Sequence, residues 1–110
     1  MAYYLWTGNY TREALQALVK SPQNREQAAR KAIEKLGGKL HHSFVSLGKR
    51  DLVVLMEFPD ELGAVALSAL TGATGAVTNG STTRLMTHAE FAEALKKAGT
   101  AAGDYKPPQG

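Results

Sequence analysis

The residues Leu52-Val53-Val54-Leu55-Met56 do not alternate. A strand with one wet face carries apolar side chains at every second position, because successive side chains point to opposite sides. Here both sides are apolar, so both need cover. Gly48-Lys49-Arg50-Asp51 precedes the run and Pro59 follows it, which makes it a short strand from Leu52 to Phe58. Leu40 to Leu47, before the turn, reads as its hairpin partner. The segment Ala2 to Tyr10 has the same two-sided character, with Tyr4 and Trp6 on one side and Tyr3 and Leu5 on the other.

Helical signals separate these strands. Thr11 caps a predicted helix from Arg12 to Lys20 with Ala14, Leu15, Leu18 and Val19 on its inner face. Ser21-Pro22 is a start signal for a second helix to Leu36, with Ala29, Ile33 and Leu36 inside. Gly37-Gly38 ends it. After Pro59, Asp60 caps a helix to about Leu70, whose core side is read as Leu62, Val65, Ala66, Ala69 and Leu70. A loop from Thr71 to Ala76 leads to a strand from Val77 to Met86. Thr87-His88-Ala89-Glu90 is a capping box that opens a last helix to Ala98.

The order is β-α-β-β-α-β plus a terminal helix. It implies an α+β, ferredoxin-like domain: an antiparallel four-stranded sheet with helices on one face and an extra C-terminal helix. Residues 1–98 form the single domain, and residues 99–110, with Gly103, Pro107 and Pro108, are expected to be a flexible tail.

The 110 residues suffice for a real core without staples. With no cysteine, thiolate metal sites, disulfides and Cys nucleophiles are excluded. The opening Met1-Ala2-Tyr3-Tyr4 has no basic segment before an apolar one, so no signal peptide is expected. No apolar run approaches the ~20 residues of a membrane span, and a cytoplasmic location is expected. The net charge of +3 is too small to imply nucleic acid. Arg30, Lys31, Lys35 and Lys39 form a basic stripe, but RNA-binding sheets of this topology need exposed aromatics on central strands, and Leu52 to Met56 is aliphatic. The expected partners are therefore neither nucleic acid nor membrane.

The second apolar sheet face must meet something. Its two candidate covers are the same face of a second copy, giving a homodimer or higher homo-oligomer, and the C-terminal helix or tail folding back. The partner sheet is the preferred reading.

With the elements placed, the sequence resembles the GYD-domain family of small bacterial proteins. The resemblance rests on Tyr4-Leu5 with Tyr10-Thr11, Gly37-Gly38-Lys39-Leu40, Gly48 with Asp51, Pro59-Asp60, Gly75-Ala76-Val77, Thr82-Thr83 with Leu85, Thr87 with Glu90, and Tyr105-Lys106-Pro107-Pro108. These short matches run in order over nearly the whole chain. The resemblance implies the dimeric α/β-barrel group, and hence paired sheets. That wider group holds cofactor-independent oxygenases, haem-handling enzymes and proteins that only bind ligands, so a fold likeness transfers no reaction. One departure stands in the signature turn Gly48, Arg50, Asp51: Arg50 occupies the place where the family has tyrosine. If the turn is a matter of geometry, with Gly48 supplying positive φ and Asp51 accepting from nearby amides, arginine is acceptable. If the tyrosine acts chemically, this chain lacks it.

The candidate pocket residues are Tyr4, Trp6, Asn9, His42 and Phe44. Aromatics with a few polar groups suit a flat apolar ligand, and core packing with dimer contact is the competing reading. Trp6 is the single tryptophan, and its indole N–H needs a partner if buried. His41 and His42 are adjacent on a strand and are expected on opposite faces, so they do not join on one metal even with His88; a surface or interface role is the default. Arg50-Asp51 with Arg84 is a further candidate, for anion binding, against a solvated hairpin. Thr71-Gly72-Ala73-Thr74-Gly75 lacks the lysine of a phosphate loop. No cofactor and no metal are implied. The reading is an oligomeric binding or structural module for a small apolar or aromatic ligand; the alternative is a cofactor-independent oxygenase-like enzyme with a histidine or tyrosine base.

Overall fold

The structure is a computed structural model that describes residues 1–109. Among the described residues the chain forms β1 (Ala2–Tyr10), α1 (Arg12–Lys20), α2 (Glu26–Lys35), β2 (Lys39–Val45), β3 (Leu52–Phe58), α3 (Glu61–Ala73), β4 (Val77–Leu85), α4 (His88–Ala101) and a 3₁₀ turn over Ala102–Asp104. The sheet order is β2-β3-β1-β4, with every neighbouring pair antiparallel. This is the expected α+β, ferredoxin-like arrangement, with the extra C-terminal helix.

Pairing register assigns each side chain to a face. Leu40, Met56, Tyr4 and Arg84 form one cross-strand row toward the helices, and Ser43, Val54, Trp6 and Thr82 form the next. Tyr4, Trp6, Leu40, Val54, Met56 and Phe58 are buried there against Ile33 of α2 and Ala64 and Leu67 of α3. On the other face, Lys39, Glu57, Tyr3 and Leu85 make one row, His42, Leu55, Leu5 and Thr83 the central row, and Phe44, Val53, Thr7 and Ser81 the third.

Caps explain most of the boundaries. The side chains of Thr11 and Asp60 accept from the Ala14 and Leu62 amides, and the capping box at Thr87 and Glu90 is complete. Gly37 ends α2 with φ of 90°, in the region that L side chains avoid. Four expectations need correcting. Ser21-Pro22 does not start α2; residues 21–25 are irregular, and the helix begins where the Asn24 side chain accepts from the Glu26 amide at 2.9 Å. The presumed loop after Leu70 is helical to Ala73 and turns at Gly75, φ 76°. Every residue of α1 keeps solvent contact, and Leu15 and Val19 point outward. The core side of α3 is Gly63, Ala64 and Leu67, with Leu62, Val65 and Leu70 exposed. The difference at α3 has a steric cause: a Cβ on Gly63 would overlap the buried Phe58 ring, so the helix turns the face that carries Gly63 to the sheet.

No helix among the described residues is long and apolar enough to cross a membrane. Helix α4 runs three residues past the expected Ala98 and is exposed along its whole length.

Candidate functional site

Helices α1 and α2 face the sheet with alanines. Ala14 and Ala17 on α1, and Ala28, Ala29 and Ala32 on α2, line a space whose floor is Trp6, Leu52 and Val54; Ala32 also packs against the core. The space is a half-open cleft of about 940 Å³, at the upper end of the ~300–1,000 Å³ typical of small-molecule sites. Leu18, Ile33, Leu67 and Leu70 complete an apolar wall, and Tyr10, Ser43, Thr71 and Thr74 add hydroxyls. The irregular segment between the two helices forms the mouth, where the exposed side chains of Gln23, Asn24, Arg25 and Glu26 border the space.

Trp6 lies along this floor at 5% exposure, its ring passing over Gly8. Its Nε1 is buried without an acceptor among the described residues, and so is the Tyr4 hydroxyl. Buried donors of this kind are uncommon, because a lost water bond is not repaid. Tyr4 sits deeper than the cavity, edge-on to Phe58 with ring centroids 6.4 Å apart.

The five pocket candidates are thus divided. Trp6 and Phe44 border the cavity; Tyr4 belongs to the core; Asn9 and His42 lie on the open sheet face. Phe44 borders it from the edge strand, while its ring stacks on His42 at 5.9 Å. The expectation that His41 and His42 oppose each other is corrected by a β-bulge between Leu40 and His42. The extra residue turns both imidazoles to the open face. There His41 Nε2 meets Glu57 Oε1 at 2.5 Å and its ring lies 5.3 Å from that of Tyr3. Among the described residues no cluster of three His, Asp or Glu side chains is placed to hold a metal ion.

The signature turn works as a clamp. Asp51 Oδ1 accepts from Asn9 Nδ2 at 2.8 Å, and Oδ2 accepts from the Tyr10 amide at 3.0 Å. Asn9 Oδ1 in turn accepts from Asn79 Nδ2 at 3.1 Å, so the hairpin, β1 and β4 are tied at one end of the sheet. Gly48 does not adopt positive φ as expected; its amide donates to Ser46 Oγ at 2.9 Å. Arg50 donates to Thr7 Oγ1 at 3.3 Å, whereas Arg84 is held at the opposite end by Leu85 O and Glu90. The two arginines therefore do not converge on one anion.

Sheet topology, the one-sided helix layer and the alanine-lined cleft define a ferredoxin-like α+β domain with a ligand-sized, half-open cleft between sheet and helices. The chain belongs to the GYD domain family, whose model matches residues 4–95. Comparison with the curated proteins finds no match.

The cavity walls and Arg25 were not found by sequence reasoning. The one available signal was the density of alanine at positions 14, 17, 28, 29 and 32, which reads equally well as tight helix packing.

Proposed function

We propose that the protein is a binding module that holds a small apolar or aromatic ligand in the cavity between its sheet and helices, and that it works as a homodimer paired through the open sheet face. The observation that carries the reading is the cavity itself. It is a half-open cleft of ligand size, mostly apolar in its lining and floored by the buried Trp6. Pairing is supported by the open face, where Leu5, Val53 and Leu55 form an apolar centre and His42, Glu57, Thr7 and Thr83 a polar surround. Helix α4 does not fold back over it, since Phe91 and Leu95 are about half exposed, at 53% and 55%. A second copy is then the cover.

The test uses the single tryptophan. Titration with 1-naphthol and with octanol is expected to change Trp6 fluorescence and raise the melting temperature, since a ligand at a hundred times its Kd stabilises by about 2.7 kcal/mol. Ala29→Phe, which fills the cavity from α2, is expected to abolish both responses while the variant stays folded. If wild-type protein responds to neither compound nor to other aromatics, the binding reading fails and a structural role remains.

A further inference from the structure

The mouth of the cavity has unbalanced charge. Two ionic side chains border it, Arg25 and Glu26. The Glu26 carboxylate already faces Arg30, with Oε2 3.8 Å from Nη2. Arg25 has no carboxylate within ion-pair distance among the described residues; its Nη1 donates to Gln23 Oε1 at 3.0 Å. Gln23 is itself anchored through Nε2 to the Ser21 carbonyl at 3.3 Å. One corner of the guanidinium is thus held by a neutral neighbour, and its remaining donors are free for an anion. A guanidinium offers five N–H donors in a planar fork that matches a carboxylate two bonds at a time.

We infer that the ligand is an amphiphilic monocarboxylate, its aliphatic or aryl body lying on Trp6 and the alanine walls and its acid group at Arg25. The inference rests on the cavity reading above and adds the head group. The same charge pattern disfavours an amine head, because Arg25 and Arg30 together outweigh the single Glu26 carboxylate at the mouth. It also sets an orientation: the apolar end points inward to Val54 and Leu67, and the acid stays at the water boundary, where neither charge is fully desolvated.

The experiment compares octanoate, octanol and octylamine, three ligands with one body and different heads, by Trp6 fluorescence and thermal shift on the full chain. Octanoate is expected to bind about five- to tenfold more tightly than octanol, the size of a partly solvated charge-assisted contact, and octylamine more weakly than either. Added salt should narrow the acid preference. Arg25→Gln, at an exposed position, should bring octanoate down to the octanol affinity and leave octanol unchanged; Arg25→Lys should keep part of the preference. Equal binding of octanoate and octanol, or an acid preference that survives Arg25→Gln, overturns the head-group assignment while the cavity stands. Failure of all three ligands overturns the cavity reading, and this inference with it.

Discussion

Phe58 ends β3 fully buried, with Gly38 beside its ring on one side and Gly63 on the other. On an exposed helix, Gly→Ala gains about 1 kcal/mol from propensity. At Gly63 the added methyl would overlap the Phe58 ring, and overpacking costs about 1–3 kcal/mol. The steric effect should win, so Gly63→Ala is expected to lower the urea midpoint with an unchanged slope. A higher midpoint would mean that α3 can slide away from the sheet. Asp51 makes a different kind of point. Both its oxygens are used across the hairpin, and Asp51→Ala leaves the half-buried Tyr10 amide without its acceptor. An orphaned donor costs about 1–3 kcal/mol. Arg50, with one 3.3 Å bond to Thr7, should change stability by no more than about 0.5 kcal/mol when replaced by alanine. Thermal unfolding of the two variants side by side measures the contrast, and equal effects would refute the clamp.

At the scale of elements, the legible parts were those written in local chemistry. β3 was bounded by its turn and by Pro59, and Thr11, Asp60 and Thr87 announced their helices because a cap is a short-range hydrogen bond. The inner faces of α1 and α3 were misread for lack of such a marker. α3 is apolar nearly all round, so periodicity leaves several stripes open, and the Phe58 ring chooses among them. The bulge at His41 left no trace in the run Lys39-Leu40-His41-His42-Ser43, since it depends on register with β3. For the site, the shared side of Tyr4 and Trp6 was legible, but neither which side faces the helices nor the open space above Trp6 was: alanines that pack and alanines that leave room look alike in sequence. The capping box of α4 carries the pH prediction. Glu90 has its pKa lowered below the ordinary 4.5, first by the Thr87 amide, then by the Thr87 hydroxyl and Arg84. A folded-state value below the unfolded one gives a contribution that is present above pH 4.5 and lost as the pH falls through the folded value. Amide exchange in the first turn of α4 should therefore speed up in acid, beyond the chemical rate. Glu90→Gln, which keeps an acceptor for Thr87 but cannot titrate, should flatten that dependence. An unaltered profile would show that the box does not hold the helix start.

The molecule as a whole is too long for its mass. Its radius of gyration is 18.3 Å, against about 13 Å for a compact domain of this size, and its long axis reaches 62 Å. Helix α4 carries much of this excess. Its fourteen residues are all exposed, and a helix of that length without tertiary packing is marginal in water. Its residues are nevertheless segregated, with Phe91, Leu95 and Ala98 along one side and Glu90, Glu93, Lys96 and Lys97 along the other. The body has the matching deficit: the row His42, Leu55, Leu5 and Thr83 lies uncovered at the centre of the sheet. The proposed association of two copies would answer both needs. Sedimentation at micromolar concentration should give a mass of at least twice the 11.8 kDa of one chain. Leu55→Glu should return it to a single chain. Leu55 sits on the open face between Leu5 and His42, so its charge reaches solvent in a lone copy and is buried twice over in a two-fold pair. Phe91→Glu with Leu95→Glu separates the two surfaces: on an arm that seats against the partner it weakens association, and on a free arm it leaves the mass of the pair unchanged. A wild-type mass equal to one chain would refute pairing and leave α4 without any cover at that concentration.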